Sequence, residues 1–114
     1  MANAFLSETD TGIGTSPATV FTCPSSTQTT IIGLSVANLE TSQILVDVQL
    51  DASGRTSGAE DSVYLVKAAP IPVGGALVVI GGDQQVVMEP GDAIKVTSDT
   101  AASADVVLSH LDIT

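Results

Sequence analysis

The sequence predicts an all-β protein, an antiparallel β-sandwich of jelly-roll-like or Ig-like type, and three observations carry that expectation. Apolar and polar residues alternate at period two through most of the chain. Short apolar runs recur at roughly 8–12-residue spacing, separated by clusters of Gly, Pro, Asn, Asp and Ser. No window carries the 3.6-residue stripe of an amphipathic helix. The 114 residues suffice for one domain, and 44% hydrophobic content gives it a core. Only 3% of residues are aromatic, so that core must be built from Val, Ile, Leu and Ala.

Residues 1–17 are rich in Ser, Thr, Gly and Asp, show no sustained period and end at Pro17. They read as an N-terminal arm, irregular or a short edge strand, pinned by Phe5 and Leu6. The β-sandwich domain is expected over residues 18–114. Its first strand spans 18–23 and stops at Pro24, before a turn at Ser25 and Ser26. In 29–39, Ile32, Leu34 and Val36 are read on one face and Ile31, Gly33, Ser35 and Ala37 on the other. In 43–50, Ile44, Val46, Val48 and Leu50 face one way and Gln43, Asp47 and Gln49 the other, the clearest amphipathic strand in the chain. The polar, glycine-bearing stretch 51–60 reads as an exposed loop. A short strand over 62–67 is expected to break before Pro70 and Pro72, which cannot occupy a central ladder. Gly74 and Gly75 open Ala76–Ile80, apolar on both faces, and brief strands follow over 85–88 and 93–97. Between these two, Glu89, Pro90, Gly91 and Asp92 predict a type II turn, with Gly91 at positive φ and Asp92 accepting backbone amides across it. The last strand is Ala104–Ile113, after a small polar loop.

Thirteen acids face three bases, Arg55, Lys67 and Lys95, for a net charge of −10. Three cations cannot form the basic patch that a nucleic acid or an anionic membrane surface requires, so neither is an expected partner. The longest apolar runs are far below the ~20 residues of a membrane-spanning helix. The start shows neither a basic region nor a long apolar stretch, so no signal peptide is expected. One cysteine, Cys23, excludes an intramolecular disulfide and a four-thiolate zinc site and is expected as a buried, inert thiol.

Several motifs suggest chemistry and fail on their surroundings. Asp10-Thr11-Gly12 is the catalytic triplet of aspartic proteases, which place the Asp at the end of an apolar strand. Here Glu8 lies two residues before it and no apolar run precedes, so a solvated turn is expected. The glycines of 12–17 begin like a dinucleotide fingerprint, but Pro17 stands where the third glycine belongs. Asp51, Ser53 and Arg55 fail as a hand-type calcium loop because a cation occupies the fifth position; a looser cation site would have to draw on Glu60 and Asp61. His110 and Asp112 share one face of the last strand, and nothing marks an oxyanion hole. A structural histidine beside an acidic partner is expected there. No enzyme activity, cofactor or metal is expected.

Thr30 to Asn38, Tyr64 to Gly74 and Val86 to Lys95 carry, in order, an Ile-Gly-Leu-x-Val-Ala-Asn strand, a Pro-Ile-Pro-x-Gly-Gly segment and Glu-Pro-Gly-Asp-x-Ile-x-Val. In that order and spacing the chain resembles a group of small virion structural proteins of tailed bacteriophages, common among phages of cyanobacteria and other aquatic bacteria. The similarity covers most of residues 15–113. It implies a β-sandwich with a structural, non-enzymatic role and supplies no catalytic residues. The expected role is a decoration (cement) protein on the capsid surface of the virion. It would be made in the host cytoplasm and contact itself, as a homotrimer, and the major capsid protein. A neck, tail or fibre-attachment subunit is the alternative. A carbohydrate-binding module is disfavoured, because Tyr64, Phe5 and Phe21 are too few for a stacking platform.

Overall fold

A computed structural model describes residues 3–55 and 62–114, and it is a β-sandwich without helices among them. Nine strands form: β1 (Asn3–Ile13), β2 (Ala18–Thr22), β3 (Gln28–Asn38), β4 (Ile44–Asp51), β5 (Val63–Ile71), β6 (Ala76–Ile80), β7 (Val86–Met88), β8 (Ala93–Ser98) and β9 (Ala104–Ile113). One sheet runs β1-β9-β3-β6, with β7 also paired to β3; the other runs β2-β8-β4-β5. Every pairing is antiparallel. Only the β4–β5 and β6–β7 connections stay within a sheet, so the chain laces the two layers together along its length.

Alternation places the core. Ile31, Leu34 and Val36 of β3 and Val106 and Leu108 of β9 point inward from one sheet, against Ile44, Val46 and Val48 of β4 and Ile94 and Val96 of β8. Inward residues i and i+2 share one side of a pleated strand, which is why a period-two sequence closes such a layer. On β3 the inward set is Ile31, Leu34 and Val36, with Ile32 exposed. A register irregularity between Ile31 and Gly33 shifts the alternation, which strict counting from Leu34 could not foresee. No aromatic side chain is fully buried; Phe21 packs partly exposed against the core.

Two strands differ from expectation in extent. Of the two readings of the N-terminal arm, the edge strand is the one that forms, but over eleven residues and as part of the sandwich, paired to β9 from Asn3 opposite Ile113 to Ile13 opposite Ala104; Phe5 and Leu6 are exposed and do not pin it. Its backbone makes the ladder while most of its side chains stay exposed, so its sequence lacks the apolar alternation that marks a half-buried strand. The strand through Lys67 also runs on past Pro70 to Ile71. β5 lies at the sheet's edge, where a missing N–H costs no ladder bond. Ala68 at φ 51° makes the irregularity that precedes Pro70, and its N–H donates to Asp47 Oδ1 at 2.7 Å.

Candidate functional site

The Glu89–Asp92 turn forms as the sequence implies. Gly91 sits at φ +93°, and the Asp92 N–H donates to the Glu89 carbonyl at 3.0 Å. Asp92 is fully buried, and its Oδ2 accepts the Glu89 N–H at 3.1 Å. Its second partner had no mark in the sequence. Arg55 reaches in from the β4–β5 loop and donates from Nε to Oδ1 at 3.0 Å and from Nη2 to Oδ2 at 2.5 Å. This bidentate carboxylate holds the guanidinium above its ordinary pKa. The turn is further tied to Cys23, whose carbonyl accepts the Gly91 N–H at 3.0 Å and whose N–H donates to the Asp92 carbonyl at 2.8 Å. The turn therefore joins three loops, with the Asp92 carboxylate fully engaged by Arg55 and the Glu89 amide.

A second cluster lies at the β1–β9–β3 end of the core. His110 is fully buried; Nδ1 lies 2.7 Å from Asp112 Oδ1 and Nε2 3.0 Å from Glu8 Oε2. Both ring nitrogens face carboxylate oxygens. Asp112 Oδ1 also accepts the Thr29 hydroxyl at 2.8 Å, and Phe21 packs on the imidazole with ring centroids 4.2 Å apart. The expected His110–Asp112 pairing is present, and Glu8 from β1 completes it. Cys23 lies behind this cluster, its Sγ donating to the Thr27 carbonyl at 3.3 Å and lying 3.4 Å from the Thr29 hydroxyl. Burial pushes its thiol pKa up, which disfavours the reactive thiolate. A buried ring, a buried thiol and a carboxylate shared among donors make one hydrogen-bonded network.

The other motifs disperse. Asp10 stands within β1 rather than in a turn, half-exposed, with its Oδ1 accepting the Thr11 N–H at 2.9 Å. Asp51 is drawn well below the usual carboxylate range, first by Lys95 at 2.7 Å, then by the Ser53 hydroxyl and amide and the Ser62 hydroxyl. The Glu60 and Asp61 of the looser cation site lie outside the described residues.

The two outer sheet faces differ sharply in character. On the four-stranded sheet, Lys67 pairs with Asp47 at 3.4 Å and Lys95 with Asp51, and Lys67 also lies 4.5 Å above the Tyr64 ring. With Arg55 on Asp92, all three cations of the chain are placed away from the five-stranded sheet's outer face. That face is built from cross-strand rows. Phe5, Leu111, Thr30 and Val87 form one row and Thr9, Val107, Ser35 and Val78 another, with Ser7, Ser109 and Gly33 between them. Phe5 is 75% exposed, Val78 67% and Val87 57%, so large apolar side chains stand in solvent on a face without Lys or Arg. At one end, Asp105 accepts the Thr11 hydroxyl at 2.5 Å beside a shallow depression of about 440 Å³ lined by Thr9, Ser35 and Val107. The sequence marked this face only through Ala76–Ile80, apolar on both sides; the contribution of β1 was hidden by its reading as an arm.

No family model and no curated protein matches the chain. A solved structure described under "Bacillus endospore appendages form a novel family of disulfide-linked pili" is similar in fold, with a TM-score of 0.56 at 13% identity, over 99% of this chain and 87% of that one. At that identity the likeness is one of β-sandwich architecture.

Proposed function

We propose that this chain is a structural subunit of a tailed-phage virion, most specifically a decoration protein that stabilises the assembled head. The observation that carries a structural role is the pair of unlike faces: one charged and internally ion-paired, the other apolar, exposed and free of cations. Large apolar side chains gathered exposed on one face of a small domain mark a place that another protein covers. The buried polar groups, by contrast, are spent on one another, with no buried side-chain N or O lacking a partner among the described residues. The ordered Ile-Gly-Leu, Pro-Ile-Pro and Glu-Pro-Gly-Asp segments favour the phage setting, and the fold shared with a pilus protein is in keeping with a structural role. The disulfide linkage of those pili has no counterpart at Cys23, which is buried.

Purified chain added to undecorated capsids should bind and raise their resistance to heat. Absence of both effects would remove the decoration role. Copy number separates the alternative: hundreds per virion for a decoration protein, a few dozen or fewer for a neck, tail or fibre-attachment subunit.

A further inference from the structure

From the same face we infer an occupant: a second copy of this chain, packed face to face on the outer side of the five-stranded sheet across a twofold axis. The inference rests on the structural-subunit reading above and names the partner of its apolar surface. Area is the first argument. Four strands at the usual spacing span roughly 19 Å, and a ten-residue strand is roughly 33 Å long, so each copy offers about 600 Å² in plan. Two copies in full overlap thus cover about 1,200 Å², the lower bound of a stable specific interface.

Charge is the second argument. A chain of net charge −10 repels its own copies everywhere except where acids are absent. On the cross-strand rows of this face Asp105 is the one acid, and it stands at one end, engaged by Thr11. A basic partner would find no acidic patch here to steer it, whereas a second copy meets a neutral surface like its own. Symmetry then fixes the arrangement. A twofold axis crossing the strands over the Ser7–Ser109–Gly33 row sets the Phe5–Val87 row of one copy on the Thr9–Val78 row of the other. The same operation carries the two Asp105 carboxylates to opposite ends of the interface. Sheets stacked this way interdigitate their side chains, as in the interior of a sandwich. The contact is pairwise, in place of the trimer expected from sequence.

Sedimentation equilibrium of the full chain at about 0.15 M and about 1 M NaCl tests this. A monomer–dimer equilibrium that tightens with salt is expected, because screening removes the repulsion between acidic copies while the apolar contact persists. Val78→Asp should weaken dimerisation at least about tenfold. Leu45→Asp, which adds the same charge on the outer side of the other sheet, should leave it unchanged. A wild-type chain that stays monomeric to about 1 mM at both salts, a trimer, or a dimer indifferent to Val78→Asp would overturn the inference. Capsid binding separates its failure from that of the virion reading. A monomer that attaches to capsids and loses attachment with Val78→Asp overturns the twofold contact and keeps the virion role. A salt-strengthened dimer that binds no capsid keeps the contact and removes the decoration role.

Discussion

At Gly91 the backbone turns through φ +93°, and the room a side chain would need is taken by the Gly54 carbonyl. A valine there meets strain from the dihedral and a backbone clash from the β4–β5 loop. Gly91→Val should therefore cost about 3 kcal/mol, the upper end for a strained position, and lower the melting temperature by about 10 °C or more. A melt within a degree or two of wild type would mean the turn tolerates a β-carbon. Asp51 makes a different kind of contribution. Lys95 and the Ser53 and Ser62 hydroxyls stabilise its charged form in the fold, so its proton is bound less tightly there than in the unfolded chain. Its stabilising effect is complete above the ordinary carboxylate pKa of about 3.9 and is lost as the pH falls through its lower folded value. Urea titrations from about pH 6 down to about pH 2 should show a stability loss that Asp51→Asn flattens; identical pH profiles for both proteins would remove Asp51 from the acid response.

β1 shows what separates a ladder strand from a core strand. It is paired to β9 along its length, yet it commits only Ile13 fully to the core and Glu8 to His110. Glu8→Ala should cost about 1–3 kcal/mol, the cost of leaving a buried ring nitrogen without its partner, and the loss should be local. Hydrogen exchange should speed up at the β1 amides while the β3–β9 ladder keeps its protection. Uniform acceleration of all amides would mean that β1 and the sandwich open as one unit. The same anatomy explains what sequence could and could not reveal. Alternation exposed β4 and β9 because half of each is buried, and Pro90-Gly91 exposed the turn because its chemistry is local. Pairing over long separation left no such mark: Arg55 meets Asp92 across 37 positions and Glu8 meets His110 across 102. Neither β1 nor the outer apolar face could be assembled from neighbours in sequence alone.

At the scale of the whole molecule, charge and apolar surface oppose one another. Above its isoelectric point of about 4.1 the chain is held apart by net negative charge, while the five-stranded sheet offers a face with one acid at its end, Asp105, and with Phe5, Val78 and Val87 standing out. Titrating towards about pH 4 removes the repulsion and leaves the face intact, so light scattering should rise to a maximum there. At that pH the Lys95–Asp51 ion pair is still in place, because Asp51 stays ionised below the usual carboxylate range. Scattering should reverse on return to pH 7, with the far-UV spectrum of a β protein kept throughout. Val78→Ser, which trims the face without changing charge, should lower the maximum, whereas a loss of β signal before scattering begins would make unfolding, and not the native face, the cause of association.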